Sequence, residues 1–369
     1  MSESTNVSNE SNAVNAPTIS RRHVLTGGLA LGVAAASGVS LTAEAKPTQI
    51  AVGETFENDG LAHPIPYRPQ LGQGRERGLV LGGGGVYLLA WMVGYFHELK
   101  KSGVDLNTAD IVVGTSAGSI AATMLTSGRL WYLDSELDIF AELPKLFAML
   151  LPPAAPNASQ IRARQRAVDA TDASVTTIQG IGRAAMAARN PDGQGQFFEA
   201  MKHLVGKTAW PSERLHTTSN DCYTGERLVV SQSANIPVDV ACAASASLPG
   251  NMGPTWLKNR LCMDGGICQT STHADVVAGV KRALIVSLTD GGADAVKIGL
   301  RTSGMPNTLQ AEIKALEAAG TKTKLVVCGL APGVTRVNSI VDPAWIKPLM
   351  AYGRERGLAD AESMAAFWN

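Results

Sequence analysis

The residues best suited to chemistry stand in three short stretches. The first is Gly114-Thr115-Ser116-Ala117-Gly118, set between the apolar run Ile111-Val112-Val113 and the small-residue run Ser119–Leu125. A serine in a G-x-S-x-G turn sits at a sharp strand-to-helix corner with strained backbone angles, which exposes its hydroxyl. Gly114 and Gly118 are needed there because a Cβ would clash where strand and helix come close. Free N–H groups and the dipole at the helix N-terminus favour a developing negative charge, as acyl transfer to Ser116 would require. The pentapeptide alone is equally compatible with an ordinary strand–glycine–helix connection.

The second stretch is Gly82-Gly83-Gly84-Gly85, between a predicted strand Arg77–Leu81 and a predicted helix from about Tyr87 to Lys101. Backbone N–H groups converge on an anion at such a junction. A dinucleotide fingerprint would need its last glycine at Tyr87 or Leu88, and there is none. The better use is an oxyanion hole, with N–H groups facing a carbonyl oxygen as it becomes negative. The third stretch, Asp264-Gly265-Gly266, closes a predicted strand Leu257–Met263. Two glycines after a carboxylate let the backbone turn away and leave the acid lining a cleft. A capped turn explains that tripeptide equally well in isolation.

Taken in this order, the three stretches resemble the patatin-like phospholipase family. Its pattern is a glycine-rich strand–helix loop, then G-x-S-x-G, then Asp-Gly-Gly or Asp-Gly-Ala. Supporting likeness runs through Thr224-Gly225-Glu226 and the small-residue stretch Ala241–Gly250. The resemblance implies a three-layer α/β fold with a mainly parallel central sheet covered by helices. It also implies a Ser-Asp dyad, Ser116 as nucleophile and Asp264 as direct general base, with no histidine between them. Burial of Asp264 would raise its pKa and make it a stronger base. Oxyanion donors would come from the loop Gly83, Gly84 and Gly85, the last two at the family's matching positions. The implied activity is lipid acyl hydrolysis of esterase or phospholipase A type, on a lipid or ester substrate and without cofactor or metal. The alternative is a catalytically silent lipid- or acyl-binding protein on the same fold.

The family loop usually continues with a basic residue and then glycine, where this chain has Tyr87 and Leu88. The missing cation predicts a preference for short neutral esters over phospholipids, and the missing glycine predicts a displaced loop. A Ser-acid-His triad would need a histidine after the acid. Only His273 follows Asp264, at the predicted start of a helix, where a surface or cap position is expected.

These motifs must be held by a larger framework. Alternation of strand, loop and helix from residue 77 onward predicts a parallel sheet with covering helices. Residues 131–205 read as mainly helical, and the apolar face from Trp131 to Leu151 suits a core-packing helix, a lid or an acyl-binding wall. A hairpin is expected over Leu215–Val230 and a small-residue helix over Val238–Ser247. Strands Ala283–Leu288 and Lys324–Val327 follow, with helices at about 308–319 and 343–367. No linker divides this run, so residues 75–369 are expected to form one domain.

The chain has 32 basic and 32 acidic residues with no net charge, which gives no reason to expect a nucleic-acid partner. Residues 1–45 have the order of an export signal: Arg21-Arg22, a weakly apolar run Leu29–Leu41, then Ala43-Glu44-Ala45. Adjacent arginines point to the twin-arginine route and a periplasmic or secreted protein. The run falls short of the ~20 residues needed to span a bilayer, so only peripheral membrane contact is expected. Residues 46–74, rich in Pro, Gly and polar groups, read as a linker or extended arm. Five cysteines, an odd number, leave at least one without an intramolecular partner, and their spacings match no zinc pattern.

Overall fold

In the computed structural model the described residues are 59–143, 145, 156–189, 191–206 and 208–369. All lie within the compact unit Ile50–Asn369. The proposed export signal, Met1–Ala45, lies outside the described residues.

Short apolar runs bounded by glycine build the centre. Strand β1 (Arg77–Leu81) pairs in parallel with β2 (Ile111–Thr115) on one side and β7 (Arg282–Ser287) on the other. Strand β8 (Lys322–Val327) extends the parallel sheet beyond β7. On the opposite flank β3 (Leu215–Asp221) runs parallel to β2, while β4 (Arg227–Ser231) and β6 (Arg260–Asp264) are antiparallel to β3. The short β5 (Thr255–Leu257) completes the sheet against β6. The single strand expected over 257–263 is therefore a hairpin, turning at Lys258 with φ 53°.

Alternate side chains of the strands enter two separate cores. Leu79, Leu81, Val112, Leu284 and Val286 face α1 (Gly85–Lys101), α2 (Ala117–Thr126) and α9 (Ile346–Trp368). Val80, Ile111, Val113 and Ile285 face the loop around Val276 and the helix α8 (Leu309–Ala318). Strands covered on both faces need no polar alternation, which is why they read as continuous apolar runs. Each fully buried aliphatic side chain contributes about 1.5–3 kcal/mol. Helices α1 and α9 cross closely. A Cβ on Gly94 would lie 2.2 Å from the Met350 carbonyl oxygen, and one on Gly353 2.2 Å from that of Trp91.

The remaining helices are α3 (Leu130–Glu142), α4 (Ala158–Val168), α5 (Val175–Ala187), α6 (Pro191–Val205) and α7 (Val238–Ser245). The described part of the amino-terminal arm lies along the outer edge of β4. Val229 N–H donates to the Leu61 carbonyl at 3.0 Å and His63 N–H to that of Arg227 at 2.9 Å. An otherwise open strand edge is thereby covered. Arg260, buried, ties the arm down through Asp59 at 2.5 Å and Asp221 at 3.0 Å.

Candidate active site

Ser116 stands where β2 ends and α2 begins, at φ 53° and ψ −119°. A non-glycine residue held at positive φ costs of order 1–3 kcal/mol, so its surroundings must enforce the angle. They do so by contact. A Cβ on Gly118 would lie 2.0 Å from the Leu81 carbonyl oxygen, and one on Gly114 2.4 Å from that of Gly118. The Ser116 N–H donates to Ser245 Oγ at 2.8 Å, and Ser119 Oγ–H donates to the Ser116 carbonyl at 2.6 Å.

Strand register brings Asp264 to this corner. Thr115, the last residue of β2, pairs with Thr218 on β3. The next residue of β3, Ser219, pairs with Asp264, the last residue of β6. Because β4 occupies the far side of β3 over the same residues, β6 lies on the side of β2 and meets it end to end. Ser116 and Asp264 consequently line one pocket.

The carboxylate has an unusual setting. Its Oδ1 accepts the Gly266 N–H at 2.7 Å, while Oδ2 is buried with no well-formed hydrogen bond among the described residues. Burial pushes the Asp264 pKa up to about 7, opposed by the nearby Ser116 hydroxyl and by the Gly266 N–H. A buried carboxyl oxygen without a donor is costly when ionised, which is what makes it a competent proton acceptor.

Three residues outside the motifs hold this turn. Ser245 uses its hydroxyl on Ser116 N–H and its carbonyl on Gly265 N–H at 3.2 Å, tying both motifs to the end of α7. Asn220 Nδ2 donates to the carbonyls of Asp264 and Gly265 at 2.8 and 3.2 Å. His273 is fully buried rather than at the surface, and caps a short 3-10 turn at Ala274–Val277. Its Nε2–H donates to the Gly265 carbonyl at 2.9 Å, leaving Nδ1 to accept from Arg227 Nη1 at 3.4 Å. That tautomer is neutral, in keeping with a pKa pushed down to about 4 by burial and by the Arg227 charge. Both ring nitrogens are thus committed to the turn. The sequence offers one hint of this support, the small-residue stretch that contains Ser245.

The glycine loop divides its donors. Gly82 N–H donates to the Val286 carbonyl and Gly83 N–H to that of Ser271, both at 2.9 Å. Gly83 therefore lines the pocket without a free N–H, contrary to its expected place among the oxyanion donors. The N–H groups of Gly84 and Gly85 have no acceptor among the described residues. Gly85 has φ 59°, and a Cβ there would lie 2.6 Å from the Ile340 carbonyl oxygen. Among the described residues no group of three or more His, Cys, Asp or Glu side chains is placed to hold a metal ion. All five cysteines are buried free thiols.

A profile of the patatin-like phospholipase family matches residues 79–276, more than half of the chain. The chain belongs to this family. No curated protein sequence matches it. Solved structures that the chain matches include VipD from Legionella pneumophila, at 15% identity and TM-score 0.38, over 82% of this chain and 70% of that one. The ExoU–SpcU complex from Pseudomonas aeruginosa is matched at 16% identity and TM-score 0.32, over 79% of this chain and 52% of that one. The chain spans about half the length of that protein.

Within this patatin-like frame the two departures at 87 and 88 have a structural meaning. Both side chains are fully buried in the main hydrophobic core. The Tyr87 hydroxyl accepts the Ala331 N–H at 2.7 Å, and its ring meets Trp345 edge-on at 5.1 Å. Residue 87 is absent from the pocket lining, whereas Val86 and Leu89 face a cavity. Leu88 packs close under the loop, and a Cβ on Gly84 would lie 2.5 Å from that of Leu88.

That cavity is almost wholly apolar and reaches Ser116 and Gly85. Leu137 and Phe140 of α3 and Met201 of α6 form part of its wall. The apolar face of α3 therefore packs and lines at once. Leu143 is the last residue of that face to be described before the gap, and residues 146–151 of the predicted stretch lie outside the described residues. No helix among the described residues is long and apolar enough to cross a membrane.

Proposed function

We propose that this protein is a lipid acyl hydrolase with Ser116 as nucleophile and Asp264 as its direct general base. The observation that carries the reading is geometric: the buried Asp264, its Oδ2 without a well-formed hydrogen bond among the described residues, lines the same pocket as Ser116. The Ser116 hydroxyl is near enough to oppose the rise that burial gives the Asp264 pKa. In the first step Oδ2 takes the Ser116 proton as Oγ bonds to the acyl carbon. The carbonyl oxygen becomes an oxyanion facing the N–H groups of Gly84 and Gly85. Losing one such donor typically costs roughly 3–4 kcal/mol. The ester C–O bond then breaks as Asp264 gives that proton to the leaving oxygen, so the alcohol departs and the carboxylate is restored. A water next gives its proton to Asp264 and attacks the acyl carbon, and that proton returns to Oγ as the acid departs. The apolar cavity beside Ser116 suits the acyl chain, and burial of that chain would supply binding energy.

The test is covalent labelling. A fluorophosphonate probe should modify wild-type protein at Ser116, react far more slowly with Asp264→Asn, and leave Ser116→Ala unmodified. Failure of the wild-type protein to label or to hydrolyse any ester would favour the silent lipid-binding alternative. We also propose that the protein is exported by the twin-arginine route, from the Arg21-Arg22 leader.

A further inference from the structure

Besides the apolar cavity, the Ser116 pocket adjoins a second groove of different character. The two share Leu248, Arg301, Thr302 and Ile340. Three arginines line this groove: Arg164 from α4, Arg301 from the segment after β7, and Arg336 from the segment between β8 and α9. No Asp or Glu lines it among the described residues. The chain as a whole carries equal numbers of acidic and basic residues, so this is a local concentration of one sign.

The three cations also lack counter-charges. None forms an ion pair among the described residues, whereas Arg227, Arg260, Arg354 and Arg356 all do. Arg301 Nη2 donates to the Cys268 carbonyl at 3.3 Å and Nη1 to that of Met305, leaving Nε buried without a partner. Arg164 spends Nε on the Gly250 carbonyl at 3.0 Å. Burial presses on both guanidinium groups, lowering each pKa, with no carboxylate acting to offset it. A desolvated cation without an anion is unfavourable unless something supplies one. The scaffold under them is firm: Asn157 and Gln160 form a reciprocal cap at the start of α4, and Val337 N–H donates to the Ile298 carbonyl at 2.8 Å. Asn251, Asn338 and Ser339 add neutral polar groups to the rim.

We propose that this groove is the subsite for the phosphate of an anionic lipid head group. The acyl ester would then lie at Ser116, between an apolar cavity for the chain and a cationic groove for the head. This assignment rests on the acyl-hydrolase reading above for its orientation. It reverses the preference for neutral esters that Tyr87 predicts, because residue 87 faces the core and the cations come from three other parts of the chain. Planar guanidinium forks suit a phosphate, and charge-assisted hydrogen bonds are the stronger kind.

The experiment compares dihexanoyl phosphatidic acid with dihexanoylglycerol, which has the same chains and esters but no phosphate. It uses the full chain, its Arg336→Gln variant, where the side chain is exposed and the fold is not at stake, and Arg164→Gln. Wild-type protein should favour phosphatidic acid. The anionic-to-neutral ratio of kcat/KM should fall about tenfold or more in each variant, through KM for the anionic substrate. A second arm measures binding of phosphatidic acid and of inorganic phosphate to Ser116→Ala and to Ser116→Ala with Arg336→Gln by calorimetry. Arginine-dependent binding of phosphatidic acid in this arm supports the groove even if no hydrolysis is found, which would sink only the hydrolase reading. An unchanged ratio, or binding of phosphatidic acid indifferent to Arg336, overturns the proposal. So does inorganic phosphate binding as tightly as the lipid, which would make the groove a free-phosphate site.

Discussion

Replacing Asp264 with Asn should abolish turnover and at the same time stabilise the fold, and the two effects should share one pH dependence. The carboxyl has a pKa of about 7 in the folded protein against 3.8 ordinarily. Its folded pKa is raised, so the contribution to stability is fully present below pH 3.8 and is lost as pH rises towards 7. At about 1.4 kcal/mol per unit, the burial of this ionised group costs up to roughly 4 kcal/mol above pH 7. Asn keeps the size of the side chain and an oxygen for the Gly266 N–H at the Oδ1 position, and carries no charge. The variant should therefore gain little stability near pH 4, gain steadily between pH 4 and 7, and reach a plateau above pH 8. At roughly 2 °C per kcal/mol for a domain of this size, the plateau is a rise in Tm of several degrees. Thermal unfolding of both proteins across pH 4–9 measures this directly. The wild-type pH profile of kcat/KM should rise through a single inflection near 7, because only the ionised form accepts the Ser116 proton. A Tm difference that stays flat with pH, or an activity inflection near 4, would refute the argument that burial tunes this carboxylate.

Other consequences follow from particular contacts. Gly85→Ala places a Cβ 2.6 Å from the Ile340 carbonyl oxygen at a positive φ, so kcat should drop roughly a hundredfold with little change in KM, as one oxyanion donor shifts. Ala200 lines the apolar cavity, and Ala200→Trp should shorten the preferred acyl chain, read from kcat/KM on p-nitrophenyl esters of increasing length. His273→Ala should lower Tm by several degrees and reduce kcat through the Gly265 turn, while the activity inflection stays near 7; loss of that inflection would give the imidazole a part in proton transfer. Replacing Arg21 and Arg22 together by Lys should leave unprocessed precursor in the cytoplasm, as followed by fractionation and immunoblotting.

The elements of this fold are legible in the sequence wherever a local pattern has a local cause. Strands β1, β2 and β7 announce themselves as apolar runs because both of their faces are covered. The elbow at Ser116 is legible because two glycines are the only residues that fit so tight a corner, and the contacts at Gly114 and Gly118 bear that out. What the sequence leaves open is decided by register and by the direction in which side chains point. Asp264 meets Ser116 because β2 and β6 occupy successive residues of β3, a relation no window of sequence contains. Gly83 and Gly84 look alike in a run of four glycines, yet only tertiary structure gives Ser271 to one of them as an acceptor. Tyr87 occupies the position of a family cation but turns into the core, since a helix packed on both sides buries neighbouring residues in different directions. Arg164, Arg301 and Arg336 carry no motif. Each is an ordinary charged residue along the chain, and only folding brings them to one groove without a carboxylate among them.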